Sequence, residues 1–164
     1  MKNFKKILML TVLFSVTLLF AGCGGAEETG GTKNIEGKLE DLMAKVYKDL
    51  PEDHTPMYLE NHVVNEENIE YYLGTKDIEY KEALASESGV GSTAHSVVLV
   101  RVKENADIEK TKEAIRQNID PRKWICVGVE IEDVIIKNRG DLIIVIIEED
   151  EESRKILDKG FDNL

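Results

Sequence analysis

Residues 133–149 read DVIIKNRGDLIIVIIEE, two apolar arms joined by a turn. The turn carries Asn138, Gly140 and Asp141, which are residue types that tight hairpin turns select. The second arm, 142–147, is apolar at every position, and a strand of that composition is covered on both faces. The stretch therefore predicts a β-hairpin whose second strand lies centrally in a sheet.

Outward from this hairpin, apolar spacing predicts the other elements. Amphipathic helices are predicted over 35–50, 65–74, 107–119 and 151–161. Strands rich in β-branched residues are predicted near 77–87 and 92–103, joined as a second hairpin. Residues 52–64 show no period and are expected to be irregular. Residues 122–132 fit either a helix or a strand.

The predicted helix ends carry recognisable caps. Asn65 and Gly74 bound the second helix, and Asp107 or Asn105 caps the third. The last helix begins with acids and is expected to end at Gly160. The order is two N-terminal helices followed by ββαββα. The predicted fold class is therefore α+β, with one mainly antiparallel sheet covered by helices.

The chain begins with an export signal. The basic opening MKNFKK leads into the uncharged run 7–21, which as a helix reaches about 22 Å, short of the roughly 30 Å hydrocarbon core of a membrane. The following LFAGC, Leu19–Cys23, resembles the lipobox of bacterial lipoproteins, whose cysteine is acylated and becomes the first residue of the mature chain. We predict signal cleavage between Gly22 and Cys23, with lipid attachment at Cys23. An uncleaved anchor and an ordinary secretory cleavage are the alternatives.

This signal divides the chain into three parts. Residues 1–22 are the predicted lipoprotein signal peptide, and residues 23–34 are the lipidated cysteine with a flexible Gly-, Thr- and Glu-rich spacer. Residues 35–164 are the predicted α+β extracytoplasmic domain. Two acyl chains on one cysteine hold a protein firmly at a bilayer, so the expected location is the cell membrane, lipid-anchored on its extracytoplasmic face.

The chain is strongly acidic. Its formal net charge is -11, and removing residues 1–22 removes three lysines and no acid, which leaves about -14. Such a protein is repelled by nucleic acid and by anionic headgroups, so neither is an expected partner. Besides the membrane, a basic protein or an envelope component is the candidate partner, and a solvated acidic surface with no partner is the alternative. With Cys23 lipidated, Cys126 has no disulfide partner, and its apolar surroundings predict a buried thiol.

One family resemblance covers roughly residues 36–160. The run STAHSVVLVRVKENADIEKTKEAIRQNIDPRKWI, 92–125, followed by a valine-rich hairpin and an acidic end, resembles uncharacterised domain-of-unknown-function lipoproteins of Gram-positive anaerobes. The resemblance rests on element order and on Ser96, Val98, Lys103, Ala114 and Trp124. It implies an extracytoplasmic lipoprotein and supplies no catalytic residue. This chain has CVGVEIE where such relatives are more polar.

Other motifs give weaker signals for chemistry. GVGSTA, 89–94, has the form of a dinucleotide fingerprint, but it opens a strand where that site needs a helix N-terminus. The acidic run 148–152 lacks the alternating ligands and glycine of a calcium loop. The three histidines have no metal-binding spacing. His95 and Ser96 are adjacent in a strand and so point to opposite faces, which prevents a direct nucleophile–base pair. No metal, cofactor or catalytic residue is predicted.

Two functions follow from these observations. The first is a membrane-tethered, non-catalytic binding or structural module at the cell envelope. The alternative is a small envelope hydrolase that uses carboxylates among Glu130, Glu132 and Asp133. A buried pair of those acids would favour the hydrolase, and acids splayed to solvent would favour binding.

Overall fold

The computed structural model describes residues 34–164, which form five strands and four α-helices. The strands are β1 Leu59–Val64, β2 Tyr80–Ser88, β3 His95–Val102, β4 Ile135–Arg139 and β5 Leu142–Glu148. The helices are α1 Leu39–Val46, α2 Ile69–Leu73, α3 Ile108–Asn118 and α4 Glu151–Asp162. Short 3-10 turns lie at Glu52–His54 and Ile131–Asp133. The predicted signal peptide, Cys23 and most of the spacer lie outside the described residues.

All five strands belong to one sheet with the spatial order β1-β2-β3-β5-β4. Every neighbouring pair is antiparallel, so the α+β class with an antiparallel sheet is confirmed. The predicted hairpin over 133–149 is confirmed as β4 and β5, and β5 is an interior strand, as its apolar sequence requires. No helix in the described part of the chain is long and apolar enough to cross a membrane.

The sheet has an apolar layer on each face. Alternate residues of β3 separate the layers, with Val97 and Leu99 on one face and Val98 and Val100 on the other. Helices α1 and α4 cover the first face, hereafter face A. Helices α2 and α3 and residues 119–134 cover the second, face B. The three central strands are therefore buried on both sides, and β1 and β4 are the edges.

Two of the predicted helix caps are confirmed, Asp107 and Gly74, whereas Asn65 does not cap α2, because that helix begins at Ile69 with Asn68 at its N-cap position. The Asp107 side chain accepts the Lys110 N–H at 3.0 Å, which selects Asp107 over Asn105 as the cap of α3. Gly74 ends α2 in the left-handed conformation, with φ of 75°. Asp150 caps α4 by accepting the Ser153 N–H at 2.7 Å.

The expected end of the last helix at Gly160 is wrong, because α4 continues to Asp162. Gly160 has a different role. A Cβ built on it would lie 2.2 Å from the Val46 carbonyl oxygen, so the absence of a side chain is what lets α4 pack directly on the end of α1.

Three further expectations are corrected by the structure. Residues 52–64 are not wholly irregular, because Leu59–Val64 forms β1 between the first two helices. Residues 122–132 form neither a helix nor a strand apart from the start of one 3-10 turn. Cys126 is exposed, with a positive φ of 62°, since the chain turns there before its next residues return to the core.

Candidate protein-binding face

Strand β1 has one free edge, since it pairs only with β2. The Gly89 N–H donates to the Tyr58 carbonyl at 2.9 Å just before the strand begins. Bonded and non-bonded pairs alternate along an antiparallel ladder, so alternate residues from Tyr58 onward bond to β2 and the others turn their backbone groups outward. The outward-facing residues are Leu59, Asn61 and Val63. Consistently, the Asn68 amide donates to the Val63 carbonyl at 3.0 Å from outside the sheet.

Exposed apolar side chains concentrate around this edge. Within residues 34–164, the large hydrophobic side chains that are exposed are Met57, Tyr58, Val63, Tyr71 and Ile125. Tyr58 is 74% exposed and Val63 is 66% exposed. These five residues and the outer edge of β1 are called the docking face below. Clustered exposed apolar groups mark interaction sites more often than scattered ones do.

The docking face continues from β1 around the β2–β3 turn. Ser88 Oγ donates to the Met57 carbonyl at 2.9 Å, and the Ile125 N–H donates to the Gly91 carbonyl at 2.8 Å. Two bulky residues here have positive φ, Tyr58 at 53° and Cys126 at 62°. Such conformations cost about 1 kcal/mol or more and persist where the surroundings enforce them, often at functional sites.

The chain around β1 is uniformly acidic. Residues 49–75 contain seven Asp and Glu residues and no Lys or Arg. Glu60 lies in the exposed edge strand, and Glu66 and Glu67 are exposed just beyond it. Past the end of β1, a shallow cavity of about 500 Å³ is lined by three basic groups, Lys76, Lys81 and Lys103. The negative potential is therefore local to β1 and the segments beside it.

A buried lysine supports the docking face on face B of the sheet. Lys123 Nζ lies 3.0 Å from Glu87 Oε1, and each side chain is less than a tenth exposed. The same ammonium lies 4.0 Å from the Tyr71 ring centroid and 4.9 Å from those of Tyr72 and Trp124. The Tyr71 hydroxyl donates to Glu87 Oε1 at 3.1 Å. One ion pair thus fixes α2 and the Ile125 loop against β2.

Burial governs the protonation of this cluster. Desolvation lowers the pKa of Lys123, while the Glu87 charge opposes that change. Burial, followed by the Glu87 charge, raises the pKa of Tyr71 to about 12 and that of Tyr72 to about 12. Ser96 Oγ and Trp124 Nε1 are buried here without a hydrogen-bond partner. Aromatic rings surround the cluster on face B, so the cluster is suited to a structural role beneath the docking face.

A second polar cluster lies on face A at the same end of the sheet. His95 Nδ1 bonds to the Glu148 carboxylate, and His95 Nε2 lies 2.6 Å from the Tyr47 hydroxyl. His95 is wholly buried, and burial raises the pKa of Tyr47. This series of side chains joins β3 and β5 to the end of α1. Ser96, the next residue, points to face B and lies across from Glu87 on β2. The sheet therefore separates His95 from Ser96, as predicted.

The carboxylates considered for hydrolysis do not share a partner. Glu130 pairs with Arg122, and Asp133 pairs with Arg154 at 3.1 Å. Glu130, Glu132 and Asp133 are all exposed. They match the splayed arrangement that favours binding over hydrolysis.

The acidic run 148–152 is divided among separate structural contacts. Glu148 bonds to His95, Asp150 caps α4, and Glu151 pairs with Lys155 one turn later. Within residues 34–164, no group of three His, Cys, Asp or Glu side chains is placed to hold a metal ion.

Scans against family models, curated proteins and solved structures each return no match for this chain. The lipoprotein resemblance therefore rests on the residues that suggest it. The docking face itself was missed from the sequence because β1 lacks alternation. The available signals were the apolar triplet 57–59 after Pro56 and the 27-residue absence of basic residues.

Proposed function

We propose that this chain is a lipid-anchored extracytoplasmic protein whose folded part binds another protein without catalysing a reaction. The observation that carries the proposal is the docking face, which combines a free strand edge with five exposed apolar side chains. An exposed apolar cluster of this kind is costly in water unless a partner covers it for part of the time.

The proposed lipid anchor locates this binding at the cell envelope. Cys23 follows a basic opening and an uncharged run that is too short to span a membrane, and the predicted spacer 23–34 separates the lipid from the folded residues. The spacer allows the docking face to reach a neighbour at the envelope. A net charge of about -14 opposes direct adsorption of the domain to anionic headgroups, which favours a protein partner over the lipid surface.

The buried polar clusters support a binding role. The Lys123–Glu87 pair sits beneath Tyr71 and beside Ile125, where it holds two apolar members of the docking face in place. A surface that is fixed before binding loses less conformational entropy when a partner arrives. The exposed acids Glu130, Glu132 and Asp133 give no comparable support to the hydrolase alternative.

Site-specific photo-crosslinking on intact cells tests the proposal. A photoreactive phenylalanine analogue replaces Tyr58 in the docking face, and in a matched variant it replaces Lys110 on α3. Lys110 is also exposed, and α3 lies toward β4, since Lys112 Nζ donates to Asn138 Oδ1 at 2.9 Å. We expect one discrete adduct from position 58, identified as one protein by mass spectrometry, and none from position 110. No adduct from position 58, or the same adducts from both positions, would contradict the proposal.

A further inference from the structure

We propose that the outer edge of β1 receives an extended, basic segment of the partner as a sixth strand of the sheet. This inference rests on the proposed function and names the chemistry of the partner. Addition of a strand to a sheet edge draws affinity from main-chain hydrogen bonds and specificity from alternate side chains. The edge geometry, the side chains on each face and the local charge all favour this occupant.

The backbone of β1 is open to such pairing at Leu59 and Asn61, whereas the outward Val63 carbonyl already accepts from the Asn68 amide. The strand contains no Pro, Lys or Arg. Natural proteins commonly protect exposed edges with those residue types. The other edge, β4, is protected in this way, because Lys137 Nζ donates to Asp162 Oδ1 at 2.7 Å and Arg139 donates to the Asp162 carbonyl at 2.8 Å. The unprotected edge is therefore the one beside the exposed apolar residues.

The two faces of β1 offer different surroundings to an added strand. On face A, Val63 is opposite Leu84 and borders a cavity of about 340 Å³ that Leu39 also lines. On face B, Glu60 is opposite Glu87. Because side chains of a strand alternate between faces, the added segment should alternate apolar residues toward the cavity with basic residues toward Glu60.

Charge decides between the possible occupants. Residues 49–75 contain seven acids and no Lys or Arg. Their negative charge attracts a Lys- or Arg-bearing segment and steers its approach. A second copy of this chain would bring an equally acidic segment against the first, which like-charge repulsion disfavours. The three lysines past Val64 lie at the end of the edge, so the positive residues of the occupant are expected over β1 itself.

Synthetic peptides test this inference on the full chain purified in neutral detergent. The probe is a ten-residue labelled peptide that alternates Lys and Val, and binding is followed by fluorescence anisotropy. One control replaces each Lys with Glu, and another keeps the sequence but carries N-methyl groups on alternate backbone amides. We expect the basic peptide to bind at least about tenfold more tightly than either control. Equal binding of the N-methylated peptide would overturn strand addition.

Matched charge variants test where the probe binds. The triple variant Glu60→Lys/Glu66→Lys/Glu67→Lys should weaken peptide binding at least about tenfold. The control Glu104→Lys/Glu132→Lys/Glu152→Lys makes the same charge change at exposed sites outside residues 49–75. It should change the affinity for the peptide less than about twofold. Equal losses in the two variants would show only general electrostatic attraction and overturn the inference. A concentration-dependent dimer abolished by Asn61→Pro would overturn it in favour of a second copy. If the peptide fails while the crosslink from position 58 persists, the proposed function stands and the occupant is wrong.

Discussion

At the scale of single residues, the least predictable feature is the buried charge of Lys123. Lys123 follows Pro121 and Arg122 in a stretch whose sequence fits either a helix or a strand, yet its side chain is buried against Glu87 and three aromatic rings. A buried ion pair is stable only when the fold places both side chains with good geometry, and Lys123 and Glu87 are 36 positions apart in the sequence. Local sequence patterns carry no information about a contact between residues so far apart. The Lys123–Glu87 ion pair beneath the docking face could therefore not be predicted.

Other residue-level features were predictable because they depend on local chemistry. Asp107 and Gly74 act at helix ends through their own side-chain or backbone properties, and both expectations are confirmed. Gly160 shows the limit of this reasoning. A glycine near a helix end has the same sequence signature whether it ends the helix or admits a crossing helix, and here it admits α1.

The phenols of Tyr71 and Tyr72, which lie beside Glu87, predict a pH dependence of stability. The pKa values of Tyr71 and Tyr72 are raised from 10.0 to about 12, so between about pH 10 and pH 12 these groups ionise in the unfolded chain while staying protonated in the folded one. The folded state then binds more protons, and stability falls as pH rises through that window. We expect the loss of stability from pH 9 to pH 11, measured by urea unfolding, to be smaller in Tyr71→Phe/Tyr72→Phe.

Tyr58→Phe is the matched control, since it removes a more exposed phenol and keeps the two whose pKa values are raised. It should retain the wild-type loss, and Lys123 is present in all three proteins. An unchanged loss in the double variant would show that Tyr71 and Tyr72 are not the groups that cause it.

At the scale of secondary-structure elements, predictability follows burial. Strands β3 and β5 are buried on both faces, so most of their residues are apolar and their positions could be predicted from composition. The edge strand β1 contacts the core on one side only, and its sequence LENHVV alternates neither polarity nor size. Residues 122–132 gave an ambiguous pattern because they cover the sheet with apolar side chains while following an irregular backbone. The missed strand is the one that carries the docking face.

Proline substitutions test the inferred direction of the β1 backbone groups. Asn61→Pro removes an outward N–H that the sheet does not use, and edge strands tolerate proline there, so the free energy of unfolding should fall by less than about 1 kcal/mol. His62→Pro removes an N–H that is directed to β2, so it should cost about 3 kcal/mol or more. Urea unfolding of both variants measures the difference. Equal destabilisation, or a larger effect at Asn61, would contradict the assigned edge.

At the scale of the whole molecule, the proposed function joins a predicted envelope tether to an acidic domain. The export signal and lipobox remain predictions from the sequence, based on the linear patterns near the N-terminus that targeting machinery recognises. The net charge excludes nucleic acid as an expected partner for similarly general reasons. The docking face depends on which edge the fold leaves open, and that is a property of the assembled sheet. The proposed function therefore combines a location predicted from the sequence with a surface that required the structure.

The claim on which the proposed function depends most is that the mature chain is held at the membrane through Cys23. Cells expressing the wild type, Cys23→Ala and Cys126→Ala receive a labelled fatty acid, and each protein is isolated and compared for label and length. Cys126 is the remaining cysteine and is exposed, so it is the matched control. We expect label on the wild type and on Cys126→Ala, whereas Cys23→Ala should be unlabelled and remain an uncut precursor. Full labelling and normal processing of Cys23→Ala would contradict the account.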